Sequence, residues 1–373
     1  MSANQAIPGA RAACPPTNPA LSSLSPPWRA EGLRYNAFGA HLKRKFGGRI
    51  QRVSLDAGFT CPNVDGAVAR GGCNFCDNRS FSPSRRTRLA RVRDQMSRGI
   101  ESVDRRYKKV AGYIAYFQPA TNTYAPVDQL AELFDAALSS DPRVVGLAVG
   151  TRPDCVPDEV LDLLSDIATR HDVSLELGMQ SVNDATLRWM NRAHTHADMI
   201  NAMDRARGRG FETCAHVILG CPDDDDATML AAADAINELG VDAAKIHNLY
   251  VVDGTPLADD VTAGRLTLMS RDDYVLTVAD FLERLSPDVI VERISGDAPP
   301  KYLIAPSWCL EKSTLKRSIE NELDRRGTIQ GSRYVPPAIP PASRPVPPDH
   351  TPASIRSRIA TRGRLPVLKM SDA

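Results

Sequence analysis

The chain has 373 residues, 42% of them apolar and 24% charged, with a formal net charge of +1. That length supports one large domain or two ordinary ones with a true core, and the near-zero charge excludes a whole-molecule electrostatic case for nucleic acid. No run nears the ~18 apolar residues of a membrane span, and the opening MSANQAIPGARAACPPTNPALSSLSPPW lacks a basic start followed by an apolar stretch, so neither membrane association nor secretion is expected. The expectation is a cytoplasmic protein whose eight cysteines are reduced thiols rather than disulfides.

Residues 1–30, rich in Pro, Ser and Ala, read as a disordered leader. From there short β-rich runs alternate with amphipathic helical stretches. The strands are expected at 52–56, 113–117, 144–149, 173–179, 212–219 and 243–249. The helices are expected at 84–106, 126–139, 156–170, 183–209, 224–239 and 271–285. Six βα repeats imply a parallel sheet with helices packed outside it. They are too few for an eight-fold barrel, so the fold class is α/β, an open partial (β/α)6 barrel over 31–330. From about Gly331 the chain reads VPPAIPPASRPVPP and then a basic run, a Pro-rich tail over 331–373 expected to be disordered. In parallel barrels the chemistry sits at the C-terminal ends of the strands.

The first strand is followed by such a signal, Cys61, Cys73 and Cys76 on one glycine-bearing loop. Soft thiolates favour iron–sulfur or zinc sites. Three cysteines on a [4Fe–4S] cluster would leave one iron open to a further ligand. A structural zinc would want a fourth protein ligand, and only the remote His41 offers one. Ordinary cysteines at chance spacing are the third reading.

The loop and the blocks around it resemble the YhcC-type radical S-adenosylmethionine (SAM) proteins of bacteria, relatives of the catalytic subunit of Elongator. The resemblance spans roughly Tyr35 to Glu322. It rests on KFGGRIQRVSLDAGFTCPNVDGAVARGGCNFC, YFQPATNTYAP, VGTRPDCVPDEVLDLL, LELGMQS, HVILGCP and RISGDAPPKYLIAPSWCLEK. The cysteine spacing is longer than the common C-x3-C-x2-C, as in that family. Two blocks depart from it: NRAHTH has Ala193 where the family usually has Gly, and GCPDDDD replaces G-x-P-G-E.

The resemblance implies a radical SAM enzyme whose [4Fe–4S] cluster sits on Cys61, Cys73 and Cys76 and whose second cofactor is SAM. It implies an electron donor such as flavodoxin or ferredoxin, and tRNA as substrate, with remodelling of the 5-carboxymethylaminomethyl side chain of wobble uridine. A small metabolite or a protein side chain is the alternative substrate. A zinc-stabilised binding or scaffold protein is the alternative outside enzymes.

By position, Gln118 and Asn122 are candidates for the SAM amino group; an Asn/Pro-rich turn with local hydrogen bonds is the plainer reading. Glu176 and Gln180 stand at i, i+4 on the fourth strand and so on one face. Buried polar groups there need partners, which SAM ribose hydroxyls or a ligand-free polar network would supply. The resemblance assigns Gln180 to the ribose and Arg192 to the SAM carboxylate, and has Arg293 and Asp297 close the site. Arg152 either binds a charged group or pairs with Asp154. His216 and His247 are either site residues or satisfied core histidines. The stretch 85–109, with ten Arg/Lys against three acids, is either a phosphate footprint or a solvated outer helix.

Overall fold

The structure, a computed structural model, describes residues 26–82 and 90–338. Seven strands form one parallel sheet in the order β1-β2-β3-β4-β5-β6-β8. They are β1 Arg49–Leu55, β2 Val110–Phe117, β3 Val144–Thr151, β4 Asp172–Gln180, β5 Glu212–Leu219, β6 Ala243–Asn248 and β8 Ile290–Arg293. β7 (Val251–Val252) and β9 (Leu303–Ala305) make a small antiparallel pair beside it. The partial barrel is therefore observed, with one strand more than the repeats predict. β8 was missed because four residues after the turn Ser286–Val289 carry too little pattern to stand out.

The central strands are largely apolar because both sheet faces are covered. β3 is buried at all eight positions. Outward residues such as Val53, Leu147, Leu175 and Leu177 pack with Leu130, Phe134, Leu161, Leu164, Tyr274 and Phe281 of the surrounding helices in one core. Those helices are Val92–Arg106, Val127–Leu138, Asp158–Ala168, Asp226–Leu239 and Arg271–Arg284. The expected start of the first of them, at 84, lies outside the described residues. The expected helix 183–209 is two helices, Asp184–Trp189 and His196–Ala206. Asn191 (φ 52°) and Ala193 (φ 53°) break it by entering the left-handed region, which no continuous helix tolerates.

The sheet curls until its two edges share neighbours. The helix Phe38–Phe46 packs on both β1 and β8. It closes the N-terminal mouth of the half-barrel by setting Leu42 and Phe46 against Ile50, Ile114, Tyr116, Val145 and Ala148. Its Lys45 reaches Asp172 (2.5 Å) and Glu212 (2.7 Å) at the starts of β4 and β5.

The packed body starts before residue 31 and runs past residue 330. Trp28 is 1% exposed, and its indole N–H donates to the Pro287 carbonyl at 2.9 Å. Gln330, 0% exposed, donates to the carbonyls of Ser286 and Val289. The Gly331 and Arg333 amides donate to Leu282 and Glu283. These contacts cross the expected limits 31 and 330; residues 1–25 of the expected leader and 339–373 of the expected tail lie outside the described residues. Among the described residues no helix is long and apolar enough to cross a membrane.

Candidate functional site

A cavity of about 560 Å³ opens at the C-terminal ends of the strands. Cys61, Cys73 and Cys76 line one wall together with Gly71 and Gly72, whose φ of 84° and 76° lets the loop fold back. This loop is stitched to the turn between the helices Asp184–Trp189 and His196–Ala206. The Asn63 amide donates to Cys73 Sγ at 3.4 Å and to the Asn191 carbonyl. Asn191 donates to Gly72 O at 2.7 Å, and Asn74 donates to Trp189 O at 2.7 Å. Among the described residues no three His, Cys, Asp or Glu side chains converge as a ready metal-ligand set; the three thiols line the wall without meeting at a point.

Arg192 lies on the turn stitched to that loop. Its Nη1 is 3.6 Å from Cys73 Sγ, its Nη2 donates to Gly178 O at 3.2 Å, and its Nε has no partner among the described residues. Gln180 also faces the cavity, though not by the simple alternation its spacing suggests. The ladder to β5 slips between Leu177 and Gln180, and Gln180 itself has φ 64°. Gly178 makes room for this kink: a Cβ there would stand 2.7 Å from Gln180 Nε2 and 3.0 Å from Arg192 Nη2. A non-glycine residue held at positive φ beside a cavity is strain of the kind that collects at functional sites.

The other candidates separate. Gln118 lines the cavity and accepts from Ser54 Oγ at 3.0 Å. Asn122 is fully buried behind it, its amide donating to the carbonyls of Phe117 (3.1 Å) and Gly150 (2.8 Å). There it braces the ends of β2 and β3. Arg152 pairs with Asp154 through two 2.8 Å bonds. Of the cysteines outside the loop, Cys214, Cys221 and Cys309 are buried, and Cys155 is partly so.

Glu176 is 0% exposed and lies at the cavity floor. Arg52 Nη1 stands 3.0 Å from it and His216 Nε2 3.1 Å, and Lys245 is paired with it. Arg52 also grips Glu292 through two bonds of 2.6 and 2.7 Å, and Lys245 reaches Tyr116 Oη at 3.0 Å and Glu292 at 3.3 Å. Two cations and two anions from β1, β4, β6 and β8 thus neutralise one another inside the barrel. Desolvation pushes the Glu176 carboxyl up, but Lys245 and Arg52 outweigh it and hold it well below the usual range. Burial and Lys245 lower His216, against the pull of Glu176. Arg52, Glu292 and Tyr116 were missed; inward alternation on β1 was the signal available for Arg52.

Comparison with known proteins agrees with this geometry. Residues 68–236 match the family model of the radical SAM superfamily, and residues 241–325 match the radical SAM C-terminal domain. Protein YtqA of Bacillus subtilis (strain 168) is 39% identical over 310 residues, 83% of this chain and 95% of that protein. Protein YhcC of Escherichia coli (strain K12) is 38% identical over 307 residues, 82% and 97%. The tRNA uridine(34) acetyltransferase of Methanocaldococcus jannaschii is 26% identical over 194 residues, 51% of this chain and 34% of that protein. Among solved structures, the N-terminally truncated Elp3 of Methanocaldococcus infernus shares the fold, with a TM-score of 0.58 at 15% identity over 75% of this chain and 64% of that one. The chain belongs to the radical SAM superfamily, in the YhcC-type family related to the Elongator catalytic subunit, and its cofactors are the [4Fe–4S] cluster and SAM of that superfamily.

Proposed function

We propose that Cys61, Cys73 and Cys76 hold the cluster, that Gln180 and Arg192 hold SAM beside it, and that the enzyme remodels a side chain on the wobble uridine of tRNA. The observation that carries the reading is the stitching of the cysteine loop onto the turn of Arg192, which sets three thiols and a partly unpaired guanidinium around one cavity. Held by Cys61, Cys73 and Cys76, a reduced cluster would supply one-electron reductive cleavage of SAM, and so the means of hydrogen-atom abstraction from substrate. The protein's part is orientation and exclusion of water. The Arg192 fork suits a carboxylate, and Gln180, held at positive φ, offers both a donor and an acceptor. The Glu176 network forms a polar floor whose charges are matched internally. Flavodoxin or ferredoxin is the proposed electron source and the cytoplasm the proposed compartment.

The tRNA reading is supported by the likeness to the tRNA uridine(34) acetyltransferase and by the described part of the basic stretch, 91–109, with seven Arg/Lys against three acids. Arg85, Arg86 and Arg88 of the same stretch lie outside the described residues. Anaerobic reconstitution tests the first half: about four irons per chain and a broad charge-transfer band are expected, and Cys61→Ala, Cys73→Ala or Cys76→Ala removes both. Stoichiometric zinc instead of iron would overturn it. Nucleoside analysis of tRNA from a deletion strain tests the second half. A profile equal to wild type, with no salt-dependent tRNA binding, would leave a small metabolite or a protein side chain as substrate.

A further inference from the structure

The cations around the cavity are nearly all matched. Arg79 pairs with Asp77 at 2.9 Å, Arg152 with Asp154 at 2.8 Å, and Lys245 with Glu176 and Glu292. Arg192 donates to the Gly178 carbonyl and faces Cys73. Arg293, at the end of β8, lines the same cavity and has no ion pair or hydrogen bond among the described residues. The acid four positions on does not serve it: Asp297 pairs with Lys312 at 2.8 Å. Glu292, its neighbour, is held by Arg52 and Lys245.

Beside Arg293 stand His247 and Tyr250, both lining the cavity, and Arg293 is near enough to both to act on their protonation. His247 Nε2 is buried and has no partner among the described residues. Burial first, then Arg293, keeps this imidazole neutral at ordinary pH, so it can still donate one hydrogen bond. The wall is rigid. Gly296 N donates to Asn248 Oδ1 at 2.9 Å, tying the loop after β8 to the end of β6. A Cβ on Gly296 would come within 2.8 Å of His247 Nδ1 and 2.9 Å of Tyr250 Cε1. The glycine thus lets the loop pack flush against both rings.

We infer that the wall of Arg293, His247 and Tyr250 anchors the substrate through an oxyanion, a carboxylate or a phosphate. The inference rests on the radical SAM reading, because it takes the cysteine and Arg192 side of the cavity to be occupied by the cofactors. A guanidinium free of internal partners pairs bidentately with such a group. The neutral imidazole adds a donor without a second charge to desolvate.

The test is arginine modification of the anaerobically reconstituted full-length holoenzyme by phenylglyoxal, read peptide by peptide in the mass spectrometer. Reactions run at equal ionic strength in chloride, acetate or inorganic phosphate, each with and without SAM. Arg293 is expected to react readily in chloride, and an oxyanion at about five times its Kd should slow it about sixfold. Protection by acetate names a carboxylate, and protection by phosphate names a phosphate group. Equal rates in all three salts would overturn the inference, as would an Arg293 that never reacts, since that marks an internal partner. Protection by SAM alone would overturn it as well, by placing Arg293 in the cofactor subsite. Iron content and SAM cleavage, measured on the same protein, separate the two readings. Intact cluster chemistry without oxyanion protection sinks only this inference; protection without iron sinks only the cluster assignment.

Discussion

Replacing Glu176 with Gln tests whether that carboxylate is a structural countercharge or a group kept for a ligand. Gln has the same shape, so no cavity opens and the loss is electrostatic. In the variant Arg52 keeps its two bonds to Glu292 (2.6 and 2.7 Å), and Lys245 keeps Tyr116 at 3.0 Å and Glu292 at 3.3 Å. Two buried cations then share one anion, and breaking a buried pair in this way costs about 3–5 kcal/mol. With an m value of ~3 kcal/mol/M for a chain of this size, the urea midpoint should fall by about 1–1.7 M. The sign with pH follows from the depressed carboxyl of Glu176. Its contribution is complete above the unfolded carboxylate pKa of ~4.3 and is lost as pH falls through the lower folded value. The gap between wild type and variant should therefore hold at neutral pH and close on strong acidification. The assay is urea unfolding followed by circular dichroism at several pH values. A loss below about 1 kcal/mol at pH 7 would refute the countercharge argument and return Glu176 to the pool of ligand-binding groups.

Arg192→Ala should weaken SAM binding about 10- to 100-fold, the worth of a charge-assisted guanidinium–carboxylate contact, while iron content stays; equal SAM affinity would remove Arg192 from the SAM site. A chain starting at residue 31 loses the buried Trp28 and its bond to Pro287 and should be less stable by about 3–5 kcal/mol, whereas one starting at Pro26 should match the full chain; thermal unfolding of both decides. Ala193→Gly should be neutral or stabilising by up to about 1 kcal/mol, since φ of 53° costs a Cβ-bearing residue more than glycine's extra chain entropy costs it; a lower urea midpoint would show that the Ala193 methyl has packing of its own.

The sheet was legible because its signal is local. Strands buried on both faces read as apolar runs, VVGLAVGT over 144–151 being the clearest. The helix Phe38–Phe46 was not legible, although its sequence is amphipathic. It carries Lys43, Arg44 and Lys45 in its last turn, which reads as a solvated surface. Its role as the plug of the barrel depends on Asp172 and Glu212, 127 and 167 positions away, which take up the charge of Lys45. The split of 183–209 was hidden for the opposite reason. Asn191 and Ala193 are compatible with a helix in isolation, and the bond that ties Asn191 to the cysteine loop joins residues 119 apart in sequence.

At the site, the sequence separates residue types but not depth. Gln118 and Asn122 are four positions apart in one polar turn, yet Ala120 at φ 63° reverses the chain between them, so that one amide lines the cavity and the other braces two carbonyls behind it. Charge pairing divides in the same way. Asp77 with Arg79 and Arg152 with Asp154 are two positions apart and can be read from the sequence. Lys245 with Glu176 joins residues 69 apart and follows only from the closure of the sheet. Arg293 shows why the second kind decides function. By local rules Asp297 is its partner, but the fold gives Asp297 to Lys312 and Glu292 to Arg52 and Lys245. The unpaired charge is set by which acids the barrel has already engaged, and that information is carried by the topology rather than by any stretch of sequence.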